Sequence, residues 1–169
     1  MGTKILEPLY DFLFKNSMMA WFWLLVRLYV GWEWAYAGYE KIINPVWVGE
    51  KAGVAVAGFA NGALAKTVGE HPDVTGWYAW FLENIVIPNA SVWSYVVAYG
   101  ELFVGVGLIL GLLTFYAAFF GFFMNVNYLL AGTVSSNPVL LILALLIMLA
   151  HRIAGLIGVD RLIFKRDSN

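Results

Sequence analysis

The sequence contains no cysteine, which excludes disulfides, thiolate zinc sites, iron–sulfur clusters and c-type haem attachment in any redox compartment. Charge is scarce as well. Only 12% of the 169 residues are Asp, Glu, Lys or Arg, against roughly 25% in a soluble domain. The net charge is −1 with no block of Lys or Arg, so the electrostatic footprint for nucleic acid is missing. Two histidines are the only imidazoles, and His71 reads as a solvated loop residue. A bis-histidine haem is therefore excluded, and no metal site is expected. Internal repeats, low-complexity tracts and a second soluble domain are also missing.

What fills the chain is apolar: 62% of residues are hydrophobic and the mean hydropathy is +0.76. Such a surface cannot stay dissolved, so the composition predicts an integral membrane protein with the lipid bilayer as its first partner. Four stretches approach the roughly 20 residues that a spanning helix needs: 18–39, 92–113, 115–132 and 138–158. The first also resembles a secretion signal, but Arg27 and Glu33 interrupt it and it runs too long. Thr114 is placed to cap the third helix, and Pro138 suits the first turn of the fourth. The expected fold is all-α, a membrane-embedded four-helix bundle forming one domain over 1–169.

Two segments lie outside the spans. Leu6, Leu9, Phe12, Leu13 and Asn16 recur at helical spacing and predict a short interfacial helix at the N-terminus. The connection 40–91 is expected to fold as an extracytoplasmic cap of short amphipathic helices. One helix carries Ala52, Ala55, Val56, Phe59, Ala63 and Leu64 on a single face. Another, over 77–87, is dense in Trp and Tyr, as befits the headgroup level. Gly69, His71, Pro72, Asp73 and Gly76 mark an exposed turn between them. Lys4, Lys15, Arg152, Arg161, Lys165 and Arg166 lie on the tail side, against Lys41, Lys51 and Lys66 on the loop side. By the positive-inside tendency both termini face the cytoplasm of a prokaryotic plasma membrane.

Counting about 1.5 Å per residue from each span's start puts Arg27, Glu101, Asn125, Asn127 and His151 in one layer near the midplane, with Glu33 nearer the cap. Charges at that depth cost at least roughly 2.5 kcal/mol each unless paired, so Arg27 and Glu101 are expected to pair. Asn125 and Asn127 diverge by about 200°, so only one of them enters the layer. The same residues admit a purely structural reading, with Arg27 and Glu101 as a clasp, His151 as an interfacial anchor and the Gly100–Gly111 glycines as close-packing sites.

These residues resemble the DoxX family, including its DoxD-type members, the membrane subunits of thiosulfate:quinone oxidoreductase. The resemblance runs through Arg27-Leu28 and Gly31, Ala37-Gly38 with Lys41, and Asn44-Pro45-Val46-Trp47. It continues through Gly100-Glu101, Gly105, Leu108-Ile109-Leu110-Gly111, Met124-Asn125-Val126-Asn127, Leu130-Ala131-Gly132, Asn137-Pro138, Gly155, Gly158 and Asp160-Arg161. It implies a membrane subunit of a quinone-linked redox system that passes electrons from thiosulfate or another reduced sulfur compound to quinone. Further subunits, in the membrane or outside it, are implied, and a homo-oligomer is an open alternative.

On this reading a quinone headgroup sits between the first two spans, beneath the cap. Glu101, Arg27 and Glu33 form the reacting layer, with the two carboxylates relaying protons. Tyr36 donates a hydrogen bond, Trp32 or Trp34 stacks on the ring, and Asn125, Asn127 and His151 complete the polar lining. The alternatives are a non-catalytic assembly subunit of a respiratory complex and a small-solute or proton transporter.

Overall fold

With so few polar side chains to help, the backbone must satisfy its own hydrogen bonds, and among the described residues it does so with helices alone. The structure is a computed structural model that describes residues 3–164, with side chains from residue 7 onward. Lys165 and Arg166 lie outside the described residues, as do the side chains of Lys4 and Leu6.

The N-terminal helix is α1 (Thr3–Lys15). A short turn capped by the Asn16 side chain, which accepts from the Met18 N–H at 2.9 Å, leads into α2 (Ala20–Ile42). The Trp23 indole N–H donates to the Leu13 carbonyl at 2.7 Å, folding α1 back on the start of α2. The expected cap contains α3 (Val54–Leu64), whose Val56, Ala60 and Ala63 are buried, and α4 (Gly76–Phe81). Residues 69–73 between them are exposed, as their turn chemistry requires.

The cap and the second expected span are not separate pieces. From α4 the chain passes through a π turn (Leu82–Val86) and a 3-10 turn (Ile87–Asn89) into α5 (Ala90–Leu110). Pro88 has no N–H to donate, and these two turns absorb the missing bond without ending the helical run. Gly76–Leu110 is thereby the one run among the described residues long and apolar enough to cross a membrane by length and composition.

Gly111 ends α5 in the left-handed region at φ 64°, and the Leu112 N–H returns to the Gly107 carbonyl. Helix α6 (Thr114–Leu130) then packs on both α5 and α7 (Asn137–Leu149), with Pro138 in the first turn of α7 as expected. Both α6 and α7 are apolar but shorter than a full span. The expected 138–158 helix breaks at Ala150 and resumes as α8 (His151–Ala154), followed by α9 (Val159–Ile163). One apolar cluster joins α2, α5, α6, α7 and α8, and a second joins α3, α4 and the π turn to Ala131 at the end of α6.

Contact between α2 and α5 is set by small residues. A Cβ at Gly38 would collide with the backbone of Ala98 and Leu102, one at Gly105 with Ala35, and one at Gly31 with Gly105 and Ile109. The two backbones touch along this seam, and the seam fixes which residues of the antiparallel pair stand level.

Candidate functional site

The α2–α5 seam places Glu101 opposite the last turn of α2, where Lys41 leaves the helix. The Lys41 ammonium lies 2.6 Å from Glu101 Oε2, with the carboxylate side chain only 2% exposed. The other oxygen, Oε1, accepts from the Tyr128 hydroxyl at 2.5 Å. Three helices, α2, α5 and α6, thus each contribute one ionisable group to a continuous hydrogen-bonded chain, with Lys41 and Tyr128 donating and Glu101 accepting.

Aromatic rings enclose this chain. The Lys41 ammonium stands 5.2 Å from the Trp47 ring centroid, and Phe59 of α3 meets Tyr128 edge-on at 5.9 Å. On the other side Trp34 stacks on Tyr128 at 6.4 Å. The Trp34 indole nitrogen is buried without a hydrogen-bond partner, and so are both amide atoms of Asn125, which is fully buried one turn below Tyr128 on α6. Orphaned buried polar atoms of this kind are rare and normally mark a place for a water or ligand.

The expected pairing of Arg27 with Glu101 does not occur. Arg27 is 1% exposed, and its two terminal nitrogens donate to the Ala154 carbonyl at 2.6 Å and the Ile157 carbonyl at 2.7 Å. Gly111 and Gly158 pack directly against the guanidinium. The reason is register. Equal starting depths for the two spans would level Arg27 with Glu101, but the glycine seam slides α5 along α2 until Arg27 meets the Gly111 turn, about 15 Å from the level of Glu101.

Other expectations also change. Thr114 does not cap α6 with its side chain, whose hydroxyl is buried without a partner. Asp160 does so instead, accepting from the Leu113 N–H at 2.6 Å and the Thr114 N–H at 2.9 Å. Trp32 and Tyr36 stack on each other at 6.2 Å on the outer surface of α2, both exposed, and Glu33 is half-buried on the same side. They are not gathered around Glu101. Asn125 is the asparagine that enters the core. The Asn127 amide nitrogen instead donates to the Phe123 carbonyl, and its backbone carbonyl accepts from the Tyr78 hydroxyl at 3.0 Å.

His151 lies at the opposite end of the molecule from Glu101, with Nδ1 2.9 Å from the Met148 carbonyl. There it lines a cavity of about 220 Å³ with Thr114, Phe115, Tyr116, Asp160 and Phe164. Sequence reasoning missed Lys41 and Tyr128 as site residues. The signal for Lys41 was the small-residue series Gly31, Ala35 and Gly38, which fits α5 in only one register. Tyr128 stands three residues after Asn125, on the same helical face.

A helical chain with a long apolar run, a buried ion pair and an aromatic-rich cap has the make-up of a membrane protein. The chain belongs to the DoxX family, whose sequence model matches residues 22–134. That match takes in α2, the cap, α5 and α6, and so every member of the Lys41, Glu101 and Tyr128 chain. No curated protein and no solved structure matches the chain.

Proposed function

We propose that this chain is a multi-pass membrane subunit of a quinone-linked redox system, with α2, α5, α6 and α7 forming a four-helix unit across the bilayer. The single observation that carries the reading is the Lys41–Glu101–Tyr128 chain, buried between three helices and bordered by orphaned donors on Trp34 and Asn125. A quinone supplies a two-electron acceptor whose carbonyls must be protonated as it is reduced. The residues present fit such a substrate. Trp34 and Tyr128 offer flat walls, the Trp34 indole and Asn125 amide offer donors, and the Asn125 carbonyl offers an acceptor for the reduced form.

Within that arrangement the protein's part is to hold protons. Glu101 between an ammonium and a phenol can take up or release a proton while its neighbours keep it in place. On this reading electrons arrive from a partner subunit acting on thiosulfate or another reduced sulfur compound. The test is purification in mild detergent from the native membrane, extraction of bound quinone, and thiosulfate-dependent quinone reduction by membranes containing the co-purifying partner. Glu101→Gln, with a lowered melting temperature from the unmatched Lys41, and Tyr128→Phe should still fold and lower the rate by about 100-fold, the contribution of a positioned acid or base. Folded variants that match wild type would remove the site.

A second reading, a non-catalytic assembly subunit, has its own observation: both Glu101 oxygens are already bonded within the chain. On that reading the same variants lose partner subunits on purification while carrying no quinone in any form.

A further inference from the structure

Glu33 is left over from the site. It is the fourteenth of the 23 residues of α2, so it stands about 14 Å from the upper end of that helix and 20 Å from the lower. It is half-buried on the outer flank, and no described residue forms an ion pair with it. Tyr29, Tyr36 and Glu40 share this flank within about 60° of Glu33, and all three are exposed. Tyr36 and Glu40 interact with each other through their side chains. This leaves Glu33 as the unpaired carboxylate of a polar stripe that runs up an otherwise apolar face beside Leu25, Trp32 and Tyr39.

We propose that this stripe is the docking surface for a transmembrane helix of a different protein, one that brings a lysine or arginine to Glu33. The inference rests on the membrane-spanning reading of α2. A carboxylate facing hydrocarbon near mid-span is strongly unfavourable, and polar side chains at that depth are met by partners on neighbouring helices. The needed partner is cationic, and the described residues of this chain do not supply it. Arg27 is engaged by the Ala154 and Ile157 carbonyls and Lys41 by Glu101. Lys51 and Lys66 are in the cap, Lys15 pairs with Asp11 in α1, and Arg152 and Arg161 lie at the Arg27 end, where Ala154 is bound. Among its described residues, a second copy in the same orientation therefore presents no cation at the depth of Glu33. A foreign helix with one basic residue near its middle does, and the hydroxyls of Tyr29 and Tyr36 flank the contact.

The test uses the whole chain, donor-labelled and reconstituted in phosphatidylcholine vesicles. The probe is an acceptor-labelled leucine–alanine transmembrane peptide carrying a single central Lys, compared with the same peptide carrying Leu there. Energy transfer should show the Lys peptide binding wild type about tenfold more tightly than the Leu peptide. The preference should vanish in Glu33→Gln and survive in Glu50→Gln, a cap carboxylate away from the stripe. Equal binding of the two peptides, or a preference that survives Glu33→Gln, overturns the proposal. Self-association of the wild-type chain that Glu33→Gln abolishes, with no peptide preference, assigns the stripe to a second copy and also overturns it. In parallel, a water-soluble carbodiimide with an amine nucleophile is applied from both sides of the vesicles. Modification of Glu33 would overturn the membrane-spanning reading itself, whereas protection with equal peptide binding overturns the docking alone.

Discussion

Lys41 reaches down from the last turn of α2 to a carboxylate that water does not touch. Removing one partner of such a pair leaves the other charged and unmatched, at a cost of about 3 to 5 kcal/mol. Lys41→Met should therefore lower the detergent melting temperature sharply, while Lys41→Met with Glu101→Gln should restore much of the loss. A double-mutant cycle followed by thermal unfolding checks this, and additive losses would show that the two side chains do not interact. Arg27 works differently, as a hydrogen-bond anchor for two main-chain carbonyls at the C-terminal end of α8. Arg27→Met would leave both carbonyls buried and unpaired, and a loss of about 2 to 4 kcal/mol is expected in the same assay. The presence of these polar residues was legible in the sequence, but their partners were not, because pairing depends on how far one helix slides along another. The asparagines illustrate the same limit: helical phase said that one of them enters the core, and only the packing selected Asn125.

Among the elements, α2 and α5 approach so closely that side chains are excluded from part of their contact. A Cβ at Gly105 would fall inside the main chain of Ala35, so Gly105→Val must push the helices apart. The expected outcome is loss of the Lys41–Glu101 contact and a destabilisation of about 2 kcal/mol or more, seen as a lowered melting temperature. Gly58 in α3 is the matched control, since a Cβ there meets nothing within 4 Å. Gly58→Ala should raise stability by about 0.5 to 1 kcal/mol through helix propensity alone. Helix existence was readable from hydrophobic runs and turn residues. The boundaries were less so: the 138–158 segment breaks at Ala150, and the cap flows into α5 through two irregular turns around Pro88. Both departures depend on contacts distant in sequence, such as that of Arg27 with Ala154, which local periodicity does not contain.

For the molecule as a whole, the cap is fastened rather than merely tethered. The Lys66 ammonium donates to the Gly132 carbonyl at 2.6 Å, and Tyr78 donates to the Asn127 carbonyl, so both bonds reach the C-terminal end of α6. If both termini are cytoplasmic and the cap is outside, a His71→Cys variant of this cysteine-free chain should react with a membrane-impermeant maleimide on intact cells. Labelling only after lysis would reverse that orientation.

The sequence by itself determined the apolar surroundings, the helical class and which polar residues interrupt the apolar stretches. Hydropathy, scarcity of charge and the hydrogen-bonding needs of a backbone in lipid are properties of composition and short windows, and no neighbour can change them. Only the tertiary structure decided that Glu101 belongs to Lys41 and Tyr128, that Arg27 belongs to the α8 end, and that Glu33 faces outward. Those choices follow from the register in which Gly31, Ala35 and Gly38 meet Ala98, Leu102 and Gly105. A displacement of a few residues between two apolar helices costs little in hydrophobic burial but exchanges every polar partner, so close packing at the small residues sets the site.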